Sequence, residues 1–293
     1  SLLAGIGGRV VVLPEPSDLG ALLAGVGVLW VDLELSGAGG HASAADRLAT
    51  PVGALPSLLD AIDDLGRSWS AEVDDPDFAG VAQLFTTNVG TIACGDWRSS
   101  VVSRARLGVR VGFPRGLPAD EALRRVSEAA HDGLGALGTS SDRNTSGALG
   151  ASGAQVTPAD GEPIPDEGRP IALSVEASGF RAEGYRLDPA NELVELLDSC
   201  HRSAHGSPLR RFGLGSTTDA RYYINQLEVP ALCYGPVTRN IHGADEAVQL
   251  QSIVDGARTI GRLIARLGEL DAVTRPPAAA VPDAVEANPG PVQ

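Results

Sequence analysis

Between residues 28 and 180 two hydrophobic periods alternate along the chain, and that alternation limits the folds open to it. "VLWVDLELSG" (28–37) puts Leu29, Val31, Leu33 and Leu35 on one side and Asp32 and Glu34 on the other, the period of a half-buried strand. A Gly-rich loop, "GAGGHASAAD", follows around His41. "TPVGALPSLLDAIDDL" (50–65) then reads as a helix, with Thr50 placed to cap it and Pro51 at its first position. Two strand candidates come next, "LFTTNVGTIA" (84–93) and "ARLGVRVGF" (105–113). "PADEALRRVSEAAHDGL" (118–134) is an amphipathic helix with acidic residues in its first turn, and "PIALSVEASGF" (170–180) is a last strand.

The order over 28–180 is β-α-β-β-α-β, the ferredoxin-like order. Residues 135–169 are rich in Gly, Ser, Pro and Asp without periodicity, and a mobile excursion is expected there. The flanks read as α/β. A short buried strand at Val10–Leu13 is stopped by Pro14 and Pro16. "NELVELLDSCHRSAH" (191–205) is helical, "PALCYGP" (230–236) a buried strand, and "DEAVQLQSIVDGARTIGRLIARL" (245–267) a long amphipathic helix. Residues 271–293 are Pro/Ala-rich with little apolar bulk, and a disordered tail is expected. The economical division is therefore an α/β lobe made of 1–27 and 181–270, interrupted by an α+β domain at 28–180.

Composition narrows the function classes. The 37 acidic residues outnumber 23 basic ones, all Arg, for a net charge of −14. No basic stripe is available to displace counterions, which argues against nucleic-acid or anionic-membrane partners. No stretch approaches the roughly 20 apolar residues of a spanning helix. Cys94, Cys200 and Cys233 form neither a disulfide framework nor a CxxC site, and are expected to be buried thiols in a reducing cytoplasm.

Three segments hold residues capable of chemistry: Glu15 in "LPEPSD", His41 in "SGAGGHAS", and the run "GSTTDARYY…VPALCYGP…IHGADE" containing His242. Each alone has a bland explanation, as a solvated loop residue or a helix lead-in. Together, Glu15 and His242 both fall beyond the C-terminal ends of expected strands, where open α/β sheets form their binding crevices. A carboxylate and an imidazole are suitable zinc ligands. Glu246 or Asp245 is placed to orient the other nitrogen of His242.

In this order the segments "EPSD", "GGHAS", "TTDAR", "VPALCYGP" and "IHGADE" resemble the metallopeptidase M20 family, from about residue 8 to 267 excepting 135–169. The resemblance implies a two-zinc amidohydrolase lobe with an inserted dimerisation domain, and leans towards the acetylornithine deacetylase and succinyl-diaminopimelate desuccinylase branch. It implies Glu15 as a ligand of one zinc and His242 as a ligand of the other, with Co2+ able to substitute for Zn2+. It implies that His41 enters the active site of a partner subunit to hydrogen-bond the oxyanion, which makes the protein a homodimer. Asp219 and Arg221 resemble residues lining the substrate pocket, and Arg221 and Arg110 resemble holders of a substrate carboxylate.

The departures matter equally. The family's H-x-D pair, bridging Asp and Glu-Glu pair have no counterpart here, since no H-x-D or Glu-Glu occurs in the chain. Without the general base and the remaining ligands the chain is expected to be incomplete at its N-terminus and inactive as it stands. "WRSSVVSRA" (97–105) also replaces the family's Asn-Val-Ile/Val-Pro stretch. Two expectations follow: part of a zinc amidohydrolase acting on N-acyl amino acids, or a non-catalytic dimerising remnant of one.

Overall fold

The computed structural model describes residues 8–81, 83–138 and 169–267. In chain order the strands and helices are β1 (Val11–Leu13), β2 (Ala21–Gly25), β3 (Gly27–Ser36), β4 (Gly40–His41), α1 (Pro51–Glu72), β5 (Thr87–Cys94), β6 (Ser100–Val101) and β7 (Arg104–Phe113). They continue with α2 (Ala119–Gly138), β8 (Ala172–Ala182), β9 (Tyr185–Arg186), α3 (Glu192–His205), β10 (Arg211–Leu214), α4 (Ala220–Leu227), β11 (Ala231–Cys233), β12 (Thr238–Arg239), β13 (Ala247–Val248) and α5 (Leu250–Arg266). Two compact units result. Among the described residues, one comprises 8–24, 185–213 and 218–267; the other comprises 25–81, 83–138, 169–184 and 214–217.

The second unit is built on a four-stranded antiparallel sheet in the order β5-β7-β3-β8. Numbered within the unit this is 4-1-3-2 read from β8, the ferredoxin-like arrangement. Alternation along β3 decides which face is covered. Leu29, Val31, Leu33 and Leu35 are buried with Leu107, Val109 and Val111 of β7, against Leu58, Ile62 and Trp69 of α1 and Val126 of α2. Trp30 and Asp32 point to the other face and are exposed. Thr50 caps α1 as expected, its hydroxyl accepting from the Gly53 N–H at 3.1 Å.

The first unit has a mixed sheet in the order β1-β11-β2-β10, with β9 also on β2. β1 and β11 are parallel, with Val11 opposite Ala231 and Leu13 opposite Cys233. Both faces are covered, which explains why these strands read as unbroken apolar runs. Val10, Val12, Leu23, Leu232 and Tyr234 pack with α3 and Leu263 of α5. Val11, Leu13, Leu22 and Cys233 pack on the other side with Ala220 and Tyr223 of α4.

Several expectations are corrected. The long C-terminal helix begins at Leu250 rather than 245, because Ala247 and Val248 pair with Arg239 and Thr238 in a hairpin. α2 runs through 135–138; the rest of the expected excursion, 139–168, and the expected tail lie outside the described residues. Cys94 is exposed, not buried, because β5 is an edge strand that ends there; Cys200 and Cys233 are buried. No helix among the described residues is long and apolar enough to cross a membrane.

Candidate active site

Glu15 is held by its backbone. The segment after β1 is stitched to the segment after β11: Ser17 Oγ accepts from the Gly235 N–H at 2.9 Å and donates to the Gly20 carbonyl at 2.7 Å. The Leu19 N–H donates to the Gly235 carbonyl at 2.9 Å. Gly235 is required by this approach, since a Cβ there would sit 2.2 Å from the Glu15 carbonyl oxygen. The Glu15 residue itself is exposed.

His242 lies in the loop closing the β12–β13 hairpin, exposed and with φ +61°. Asn240 and Asp245 in the same loop also have positive φ, and the Gly243 N–H donates to the Asn240 carbonyl at 2.8 Å. Among the described residues no hydrogen bond joins His242 to Asp245 or Glu246, both of which are exposed. Nor do three His, Cys, Asp or Glu side chains converge on a common point among the described residues. Glu15 and His242 are each a donor of the right chemistry for zinc, but one donor apiece does not make the three- or four-ligand set that a zinc takes.

Arg221 is buried at the start of α4 and turned back on its own loop. Its Nη1 donates to the Thr218 carbonyl at 2.8 Å and to Asp219 Oδ1 at 3.1 Å, and its guanidinium lies 4.0 Å from the Tyr222 ring centroid. Beneath it is a buried group that the sequence did not announce. The Tyr185 hydroxyl and Thr218 Oγ1 are 2.7 Å apart, and the Cys233 thiol donates to the same Oγ1 at 3.3 Å. Burial pushes the Cys233 thiol up to about 11, with the charges of Glu15 and Asp219 adding to it. Burial likewise holds the Tyr185 phenol well above its usual range, with Cys233 adding and Arg221 opposing. These are neutral groups at neutral pH, fastening the loop that carries Asp219 and Arg221 to the sheet. No motif marks them, because the partners stand 33 and 15 positions apart in sequence.

In the second unit His41 ends β4, paired with Ser100 of β6. The Ser43 N–H donates to its Nδ1 at 3.2 Å, capping a short 3-10 turn. In the neutral ring this leaves the proton on Nε2, the tautomer an oxyanion donor needs. Arg110 lies on β7, half-buried, and its Nη2 reaches the Gly215 carbonyl at 3.3 Å and Ser216 Oγ at 3.4 Å. Burial lowers its guanidinium from the usual value.

The chain belongs to the peptidase family M20/M25/M40, whose model matches residues 10–266. Members of this family are hydrolases acting on peptides and amides, and the family is generally metal-dependent. No curated protein matches the chain in sequence. Among solved structures, a di-peptidase from Saccharomyces cerevisiae has a TM-score of 0.63 at 11% identity, covering 90% of this chain and 60% of its own. A tripeptidase from Staphylococcus aureus has 0.60 at 13%, covering 90% and 58%. A hydantoinase/carbamoylase-family amidase from Burkholderia phymatum has 0.57 at 16%, covering 89% and 55%. The chain thus spans less than two thirds of each, and at these identities the likeness is one of fold.

Proposed function

We propose that the chain is part of a zinc-dependent amidohydrolase that removes the acyl group from an N-acyl amino acid, in the manner of an acetylornithine deacetylase. The carrying observation is the pairing of β1 with β11: their C-terminal ends lie side by side, with Glu15 beyond one and the Gly235–His242 segment beyond the other. That is where a parallel pair presents a ligand crevice. In this reading Glu15 and His242 hold zinc, or Co2+ in its place, with Glu246 behind His242. Zinc, when bound, polarises the amide carbonyl and acidifies a water. The chain's own residues do the rest. Arg221, Asp219 and Arg110 recognise the substrate, and His41 donates from Nε2 to the oxyanion of a partner subunit. The protein is then a cytoplasmic homodimer, joined through 28–180 as the inserted dimerisation domain.

The chain as it stands supplies two of the zinc donors and no Glu-Glu base, so we infer that it does not hydrolyse amides unaided. The intact mass of the native polypeptide tests this. A mass well above 30.1 kDa, by about 100 residues of further α/β lobe, supports the enzyme; zinc content and N-acetylornithine hydrolysis are then measured on that protein. A native mass of 30.1 kDa with no zinc-dependent hydrolysis leaves the dimerising remnant.

A further inference from the structure

Helix α5 meets its own unit on two flanks and is apolar on a third. Arg266 and Thr259 turn towards α3, where Arg266 Nη1 donates to Ser199 Oγ at 2.8 Å and Thr259 Oγ1 lies 3.0 Å from His205 Nε2. Leu263 and Ile260 pack down on the sheet with Val12 of β1 and Leu232 of β11. The third flank carries Leu250, Ile253, Val254, Ala257, Gly261 and Ile264, all exposed. At about 100° per residue these positions fall within one arc of about 100°, on the side away from α3. Leu250 is 75% exposed and Ile264 64%, so the flank is bare from one end of the helix to the other.

A helix apolar towards its core alone needs no further cover, whereas one apolar on two flanks is suited to lie between neighbours. The stripe has the shape for a second helix. It runs about 25 Å, and at its middle Ala257 and Gly261 form a shallow trough, with nothing within 4 Å of where a Gly261 Cβ would lie. A ridge of large side chains fits such a trough at the usual helix spacing of about 8–10 Å. The sheet is open on the same side. α3 stands over the β10 end, where Arg211 of β10 donates to its Glu195 at 2.9 Å, so the direction away from α3 leads towards β1. β1 is an edge strand with no partner on its outer side among the described residues, although parallel pairs such as β1–β11 are normally covered.

We propose that this flank seats an amphipathic helix from the rest of the lobe, laid along α5, whose adjoining strand extends the sheet at β1. The inference rests on the reading that the chain is part of a longer hydrolase. Two related structures match 90% of this chain with only 58% and 60% of their own length, so the shared fold has further lobe to place. Arg258 and Arg262 border the stripe, and Arg262 has no carboxylate partner among the described residues, so the incoming helix carries acidic residues along that border. A second copy of α5 laid antiparallel about the middle of the stripe fits less well. It would bring the two Arg258 side chains together and leave the β1 edge open.

The test uses the native polypeptide as the cell makes it, carrying Val254→Cys or Ile264→Cys on the stripe, or Gln251→Cys on the polar flank of the same helix. The folded protein is labelled with a maleimide and mapped by mass, which separates the introduced thiol from Cys94. In a polypeptide longer than 30.1 kDa the two stripe positions should label roughly tenfold or more slowly than position 251. A benzophenone amino acid placed at 250 should cross-link within the same polypeptide, to residues outside this chain. The proposal is overturned if the stripe positions label as fast as position 251, or if the cross-links join two polypeptides, which makes a second copy the occupant. A native mass of 30.1 kDa overturns it as well, because no further lobe then exists. Hydrolysis of N-acetylornithine is scored separately. An active longer enzyme with a reactive stripe defeats this inference alone, and an inactive one with a protected stripe defeats the amidohydrolase reading alone.

Discussion

His201 is buried on α3, where its Nδ1 meets the Tyr234 hydroxyl at 2.9 Å and its ring lies 4.4 Å from that of His205. Burial is the main force lowering its pKa, His205 the next, and Asp198 the opposing one. The unfolded chain therefore binds a proton on this residue more readily than the folded chain. Its contribution is fully present above the unfolded value of about 6.5 and is lost as pH falls from there towards the depressed folded value. The melting temperature should drop between about pH 7.5 and about pH 5.5, and His201→Gln should flatten that dependence; an unchanged slope would assign it elsewhere. The cysteines give a second residue-scale test. Exposed Cys94 should be alkylated by iodoacetamide in the native protein, while Cys233, buried and pushed up to about 11, should react only on unfolding. Mass mapping after partial labelling separates the two. Sequence alone treated all three thiols alike, because whether a strand lies at a sheet edge is not written in its own residues.

At the scale of elements, local signals read well where the physics is local. Thr50 capping α1 needs only a hydroxyl, an extended φ,ψ and a helix behind it, all within four residues. Thr50→Ala should cost about 1 kcal/mol, read as a shift in the denaturant midpoint. Ends set by distant partners read poorly. The residues "DEAVQL" read as the start of the last helix at 245, yet pairing with Thr238 and Arg239 draws Ala247 and Val248 out of helical geometry. Ser252 secures the result, its Oγ accepting from the Val237 N–H at 2.9 Å. The join between the ends of β1 and β11 is the most exposed to a single change. Gly235→Ala forces a Cβ towards the carbonyls of Pro14 and Glu15, which cannot swing aside as a side chain tip would. We expect roughly 2 kcal/mol or more of destabilisation, with the loss visible in thermal melts. A melt equal to the parent's would mean that the 14–20 segment yields freely.

For the whole molecule, the test that matters is of metal. With no group of three His, Cys, Asp or Glu side chains placed to hold a metal among the described residues, the isolated chain should bind zinc weakly and show no zinc-dependent N-acetylornithine hydrolysis. Glu15→Gln and His242→Gln should each abolish what binding there is, read by competition with a chromogenic chelator. Tight stoichiometric zinc in the isolated chain would refute the two-donor reading. Much was legible without coordinates: the β-α-β-β-α-β order over 28–180 and the apolar strands around Val11 and Ala231. These rest on periodicity and on short motifs, which each stretch expresses in its own residues. Only the folded chain decided that β1 lies beside β11, that Thr218 gathers Tyr185 and Cys233, and that Arg221 turns back on its own loop. Each of those depends on hydrogen bonds and packing between residues far apart in the chain, and no local pattern records which distant partner will arrive.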